Sequence, residues 1–365
     1  MKPGFASIYR YTIPFVKPVP VRNSSLDTRD GLLLRLRTHD SRHSGFGEIA
    51  PLPGLHEETL VEALEQCSKI IRTSDLTFGD QSITETGRNL PDMLYPSVRT
   101  GIEMSLLNLQ SAVTGIRPAI ADTVETAARL PLNALLFGST SSVLSMAEQY
   151  YNQGYRTFKL KVKAAEPALA SDQAVALRTS FGSDISIRLD SNRSFGLDDA
   201  CSFFSTIPGD SIDYIEEPVA DPFLLPVFFE RTGIRSALDE SLWMNPGIWN
   251  RIPHDCLGGI VLKPSRLGSL SASIRFAIEA EQEGIPAVFS SAYESGVSIG
   301  FYAHLAAIIT GRPKACGLDT FRQFSRDILI DPVHAENGGF PVEETYRNSL
   351  TPDLSRLELL ETWTL

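Results

Sequence analysis

From about residue 130 onward the chain repeats one pattern: a short apolar segment, then an amphipathic stretch that commonly closes on glycine. The apolar segments are residues 132–136, 157–162, 186–190, 213–216, 236–239, 259–263, 287–291 and 315–318. Their C-terminal ends, taken at 161, 190, 216, 239, 263 and 290, fall 29, 26, 23, 24 and 27 residues apart. A βα unit of that size, repeated seven or eight times, closes into a (β/α) barrel. Residues 141–152 before Gly154 and 269–283 before Gly284 read as helices with glycine at the stop. An open doubly wound sheet usually carries a glycine-rich phosphate turn after its first strand, and none is present. The predicted class is α/β, a modified TIM barrel of about seven to eight βα units.

The first third has a different texture. Alternation over 6–11 and 32–36 predicts strands, and a further strand pair ends at 45–49, before a Pro-Leu-Pro-Gly loop at 51–54. Pro14, Pro18 and Pro20 predict an irregular segment between the first strands. Helices are expected at about 57–72 and 97–113, the second bounded by Pro96 and Gly115. A chain of 365 residues exceeds one small domain. We therefore expect an α+β capping domain over 1–128, the barrel over 129–325, and a segment over 326–365 that returns to the cap.

Polar residues fall where a barrel needs them. Lys161, Asp190, Glu216, Asp239 and Lys263 each end an apolar segment, and such ends meet at one mouth. Three carboxylates from consecutive strands repel one another unless a cation joins them. All-oxygen ligation favours a hard ion such as Mg²⁺. A salt bridge to a neighbouring base would explain any one of these acids, but three in register favour a metal site. Lys159 and Lys161 are two apart and share a face. A solvated edge strand carries the same Lys-x-Lys pattern, yet here the flanks are Phe158, Leu160 and Val162. Two ammonium groups close together and near a metal are expected to lower each other's pKa toward a general base's range, about 7–8. Lys263 would be a second base or a fixed ammonium, with a salt bridge to Asp239 or Glu240 as the plainer role. Ser290, Ser291 and Glu294, at the next strand end, would bind substrate, support Lys263 or cap the loop.

Other classes are disfavoured. The formal net charge of −11 argues against nucleic acid and anionic membranes as partners. The N-terminal stretch MKPGFASIYRYTIPF has no long apolar run, so a cytoplasmic, soluble protein is expected. Four scattered cysteines and six scattered histidines fit neither a disulfide framework nor a zinc cluster, and no hydrolase or nucleotide-binding motif occurs. A small anionic carboxylate is the expected partner. The oligomeric state stays open, a monomer being compatible.

The set Lys159-Leu-Lys161, Arg188-Leu-Asp190-Ser-Asn192, Ile215-Glu216-Glu217-Pro218, Leu238-Asp239-Glu240-Ser241 and Leu262-Lys263-Pro264 resembles the enolase superfamily, in its muconate-lactonizing-enzyme-like group. Thr28-Arg29-Asp30-Gly31, the run Gly45 to Gly54 and the stretches 188–193 and 290–295 are most similar to the o-succinylbenzoate synthase family. The resemblance spans about residues 6–325. It implies Lys161 as the base that takes a proton next to a carboxylate, Lys159 as its electrostatic aid and Lys263 as the ammonium beside an enediolate. It implies Asp190, Glu216 and Asp239 as ligands of Mg²⁺, for which Mn²⁺ can substitute, with Asn192, Arg188 and Glu240 in support. The implied reaction is dehydration to 2-succinylbenzoate, with loops near 17–29 and 51–56 closing over the substrate. One departure is Ala292, where a third serine is expected after Ser290-Ser291. An N-acylamino acid racemase, a dipeptide epimerase or a cycloisomerase would share the same motifs. A non-catalytic metabolite-binding barrel is the alternative of another class, disfavoured because an intact ionic set destabilises a fold that does not use it.

Overall fold

The computed structural model describes residues 1–21, 24–79, 82–120, 126–207, 211–309 and 312–365. The cap is a four-stranded antiparallel sheet built from β1 (Phe5–Val21), β2 (Ser24–Arg37) and β3 (Ser44–Ile49), covered by α1 (Leu60–Thr73) and α2 (Pro96–Thr114). Its fourth strand comes from the far end of the chain and lies against β1. Ala6, Ile8, Leu34, Leu36 and Ile49 pack on Ile70, Val98, Ile102 and Leu109 to make a core of the cap's own. Two sequence features set the helix starts. Thr59 and Glu62 form a capping box ahead of α1, and Pro96 occupies the first turn of α2.

The prolines do not break β1 as expected. The strand runs to Val21: Pro14 and Pro20 pair in register with β2, and Pro18 falls in a slip of that register between Pro14 and Val19. The C-terminal strand covers β1 only from Phe5 to Arg10. Beyond that point the edge of β1 needs fewer N–H donors, so proline is tolerated there.

The barrel follows: β4 (Arg129–Pro131), β5 (Asn133–Leu136), α3 (Thr140–Asn152), β6 (Thr157–Lys161), α4 (Pro167–Phe181), β7 (Ser186–Asp190), α5 (Leu197–Phe204) and β8 (Tyr214–Glu216). It continues through α6 (Leu225–Thr232), β9 (Ser236–Leu238), α7 (Glu240–Met244), β10 (Leu257–Leu262), α8 (Pro264–Leu267), α9 (Leu270–Gln282), β11 (Ala287–Phe289) and α10 (Gly296–Ile309). Strands β5 to β11 form one all-parallel sheet in sequence order. The predicted eighth strand, 315–318, is reduced to two parallel bridges that close the ring, Cys316 to Leu132 and Gly317 to Ser290. A Cβ on Gly317 would meet the Ser290 hydroxyl at 2.6 Å, so glycine permits the closure. The chain ends with β12 (Gly339–Pro341), which pairs with β4, then α11 (Val342–Ser349) and β13 (Glu358–Thr364), the fourth strand of the cap sheet. The four cysteines are all buried and unbonded to one another.

Candidate active site

Parallel register brings the ionisable strand ends together. Lys161 stands beside Asp190, Asp190 beside Glu216, and Glu216 beside Ala237, two residues before Asp239. Lys159 Nζ donates to both carboxylate oxygens of Glu216 at 2.7 Å and lies 2.9 Å from Asp190 Oδ2. Lys161 Nζ donates to Asp190 Oδ2 and Asn192 Oδ1, each at 2.6 Å. From across the ring, Lys263 Nζ donates to Asp239 Oδ2. All three acids are buried.

The lysine expectation is corrected at Lys159. Burial disfavours its ammonium, but the charges of Asp190, Glu216 and Asp239 outweigh that and hold its pKa well above the ordinary lysine value. Lys263 is also raised: burial opposes its charge, and Asp239 and Glu216 overcome it. Proximity of two lysines therefore does not set Lys159; the acids do. Burial and the neighbouring Asp190 push Glu216 up to about 8, against the opposing charges of Lys159 and Lys263. Asp239 Oδ1 is buried with no hydrogen-bond partner. Among the described residues no three His, Cys, Asp or Glu side chains are grouped to hold a metal ion as they stand, and each of these carboxylates is engaged by a lysine. An orphaned carboxylate oxygen within an all-oxygen donor set is compatible with a hard divalent cation.

Behind these groups lies a supporting layer. Asn192 Nδ2 donates to Glu240 Oε1 at 2.9 Å, which fixes the amide oxygen that receives Lys161. Glu217, not singled out from sequence, accepts from the backbone N–H groups of Asp239 (2.8 Å) and Ser241 (2.7 Å) and from the Ser241 hydroxyl (2.7 Å). It therefore anchors the turn that presents Asp239. Asn192, Arg193, Glu217 and Tyr293 all take left-handed φ, between 45° and 60°, just past strand ends. Such backbone is costly for non-glycine residues and clusters at functional sites.

The three lysines, Asp190 and Glu216 line a cavity of about 920 Å³ including its mouth, together with Ser290, Ser291, Tyr293, Asp319 and Thr320. Asp239, Asn192, Glu240, Arg188 and Glu294 are predicted residues that do not line it, the first three standing just behind the lysines. Arg188 is buried in the barrel, donating to Ala315 O at 2.7 Å with its guanidinium 5.2 Å from the Tyr214 ring centre. Glu294 is buried behind the wall, where it accepts from the Ser265 hydroxyl at 2.6 Å. Among the described residues no cap residue lines the cavity. Residues 17–21 and 24–29 are strand rather than loop, and 22–23 lie outside the described residues. The cap instead meets the cavity wall from behind: Phe15 packs edge-on against Tyr293, and Arg29 donates to the Tyr293 carbonyl. Tyr293 and Asp319 escaped the sequence reading. The available signal was their place just after the seventh and eighth strand ends. Asp319 receives Tyr155 Oη at 2.5 Å and Arg322 Nε at 3.0 Å, and burial pushes its pKa up to about 6.

Comparison with known proteins agrees with this architecture. Residues 142–346 match the family model described as enolase C-terminal domain-like, and residues 4–109 match that of the MenC N-terminal domain. An o-succinylbenzoate synthase from Edwardsiella ictaluri is 30% identical, over 89% of this chain and 92% of its own. A probable mandelate racemase from Alicyclobacillus acidocaldarius superposes with a TM-score of 0.82 at 21% identity, covering 100% and 99% of the two chains. An enolase-superfamily member from Roseovarius nubinhibens, crystallised with magnesium, superposes at 0.81 with 18% identity and full coverage of both chains. Among the described residues no helix is long and apolar enough to cross a membrane.

Proposed function

Since this chain belongs to the enolase superfamily, we propose that it is an o-succinylbenzoate synthase. It would convert 2-succinyl-6-hydroxy-2,4-cyclohexadiene-1-carboxylate to 2-succinylbenzoate and water, a cytosolic step of menaquinone biosynthesis. The observation that carries the reading is the meeting of three buried acids with lysines from both sides of the barrel mouth. A relative of that name at 30% identity over most of both chains supports the choice of substrate.

In this reading Lys161, as the neutral amine, takes the proton α to the ring carboxylate, since it lines the cavity and is the most exposed of the three lysines. Lys161 can return that proton to the departing hydroxyl, which balances the loss of water and regenerates the amine. Lys159, charged and half-buried, holds Glu216 and Asp190 in place. Lys263 keeps a fixed positive charge opposite, where an enediolate develops. Asp190, Glu216 and Asp239 are the residues we assign to Mg²⁺, or Mn²⁺ in its place. When bound, the ion would supply positive charge to the substrate carboxylate as the α-proton leaves. Asn192 and Glu240 orient Lys161, and Ser290 and Ser291 offer hydroxyls to the substrate from the wall. Residues 1–128, with the returning C-terminus, serve as the cap.

A racemase or epimerase is the second reading, favoured by the presence of an amine on each side of the cavity. The purified protein incubated with the cyclohexadiene and Mg²⁺ is expected to yield 2-succinylbenzoate, followed by its ultraviolet absorbance. A chelator should stop the reaction and excess Mg²⁺ restore it. α-Hydrogen exchange on N-acylamino acids without any dehydration would favour the second reading instead.

A further inference from the structure

We propose that His56 is a positioning residue for Lys263, its imidazole pinning the turn after β10 to the cap loop that precedes α1. The imidazole is buried and bonded at both nitrogens. Nδ1 accepts from the backbone N–H of Leu52 at 2.9 Å, so the ring hydrogen must sit on Nε2, which donates to Ser265 O at 3.1 Å. Burial, with the charges of Arg266 and Arg29 in addition, lowers its pKa to about 3, so the ring keeps this neutral tautomer at working pH.

Ser265 lies in the single turn α8, which Lys263 begins. The backbone N–H groups of Arg266 and Leu267 donate to Lys263 O at 2.8 and 2.9 Å. The carbonyl that His56 holds is thus one turn-step from the Lys263 backbone, and Thr100 Oγ1 of α2 steadies the intervening Pro264 O at 3.0 Å. The contact closes a circuit. Ser265 Oγ donates to Glu294, and Glu294 receives the N–H of Ala292. Next in chain, the Tyr293 carbonyl takes Arg29 Nε at 2.9 Å, and Arg29 also donates to Pro51 O at 2.9 Å, beside Leu52. The cap loop, the Tyr293 wall and the Lys263 turn are therefore set by one chain of hydrogen bonds, all buried except the partly buried Arg29–Tyr293 link. Satisfied networks of this kind rigidify what they hold. A displacement of Lys263 by a fraction of an ångström would carry its charge away from the reacting centre.

The inference rests on Lys263 acting in the proposed reaction, so its test includes a readout independent of turnover. In His56→Asn the amide oxygen can still accept from Leu52 but the donor to Ser265 is lost. In His56→Gln the amide nitrogen reaches the Nε2 position and restores that donor. The expected result for His56→Asn is a kcat lower by on the order of 10- to 100-fold with KM little changed. Amide exchange across 263–268 should quicken in the same variant. His56→Gln should recover most of both. The proposal is overturned if exchange at 263–268 is unchanged in His56→Asn, or if its loss appears in KM alone, which would confine His56 to the loop. A wild-type protein with no dehydratase turnover would overturn the assigned reaction, while the exchange comparison would still decide whether His56 pins the turn.

Discussion

Lys161 differs from its two partners in exposure: its side chain is 39% accessible, against 16% for both Lys159 and Lys263. A base must meet its proton, and a half-buried ammonium held by buried carboxylates cannot leave them without exposing uncompensated charge. Lys161→Ala is therefore expected to lower kcat by about 10²- to 10⁴-fold, the range for loss of a general base. Its thermal midpoint should stay close to that of wild type. A variant that keeps wild-type turnover would remove Lys161 from the chemistry. The residue types and spacing at this scale were legible in the chain, since a strand end followed by an acid or a lysine is visible without coordinates. The charge state was not legible. Two lysines in sequence suggested mutual lowering, whereas Lys159 is governed by Asp190, Glu216 and Asp239, brought to it from other strands.

At the scale of elements, α2 lies unusually close to β3, and three glycines permit it. A Cβ on Gly47 would stand 1.9 Å from Gly101 O, and one on Gly45 2.2 Å from Ser105 O, positions that no side chain can occupy without moving the helix. Gly47→Ala should destabilise the fold by about 1–3 kcal/mol, the usual penalty of overpacking. A urea unfolding midpoint equal to wild type would show that the helix can yield. The Gly-x-Gly in the strand was visible, but nothing in the chain said that a helix more than 50 residues later would press on it. The same limit explains β1. Prolines normally end a strand, and only the partial cover by β13 leaves an edge where they are harmless.

At the scale of the whole molecule, cap and barrel are joined through buried polar groups as well as apolar ones. Glu103 of α2 accepts from Leu270 N at 2.7 Å and from the Ser269 hydroxyl at 3.2 Å, so it caps a barrel helix from the cap side. Burial pushes its pKa from 4.5 up to about 7. Between those values the folded chain holds a proton that the unfolded chain has released, so this group's contribution to stability falls as pH rises through the window. Glu103→Gln cannot ionise. Relative to wild type it should gain up to about 2 kcal/mol between pH 5 and pH 7.5, read as the change in the difference between urea midpoints. A constant difference across that range would show that Glu103 does not titrate there.

What the chain alone determined was local: the period of its βα units, the helix caps, and which ionisable residues end which strands. Those depend on neighbours in sequence, through side-chain alternation and helix pitch. What only the tertiary structure decided was the closing of the ring through Cys316 and Gly317, the return of Glu358–Thr364 to the cap sheet, and the roles of Glu217, Tyr293 and His56. Each of these is a contact between segments far apart in the chain, and its energy appears only once the two surfaces are packed and water is gone from between them.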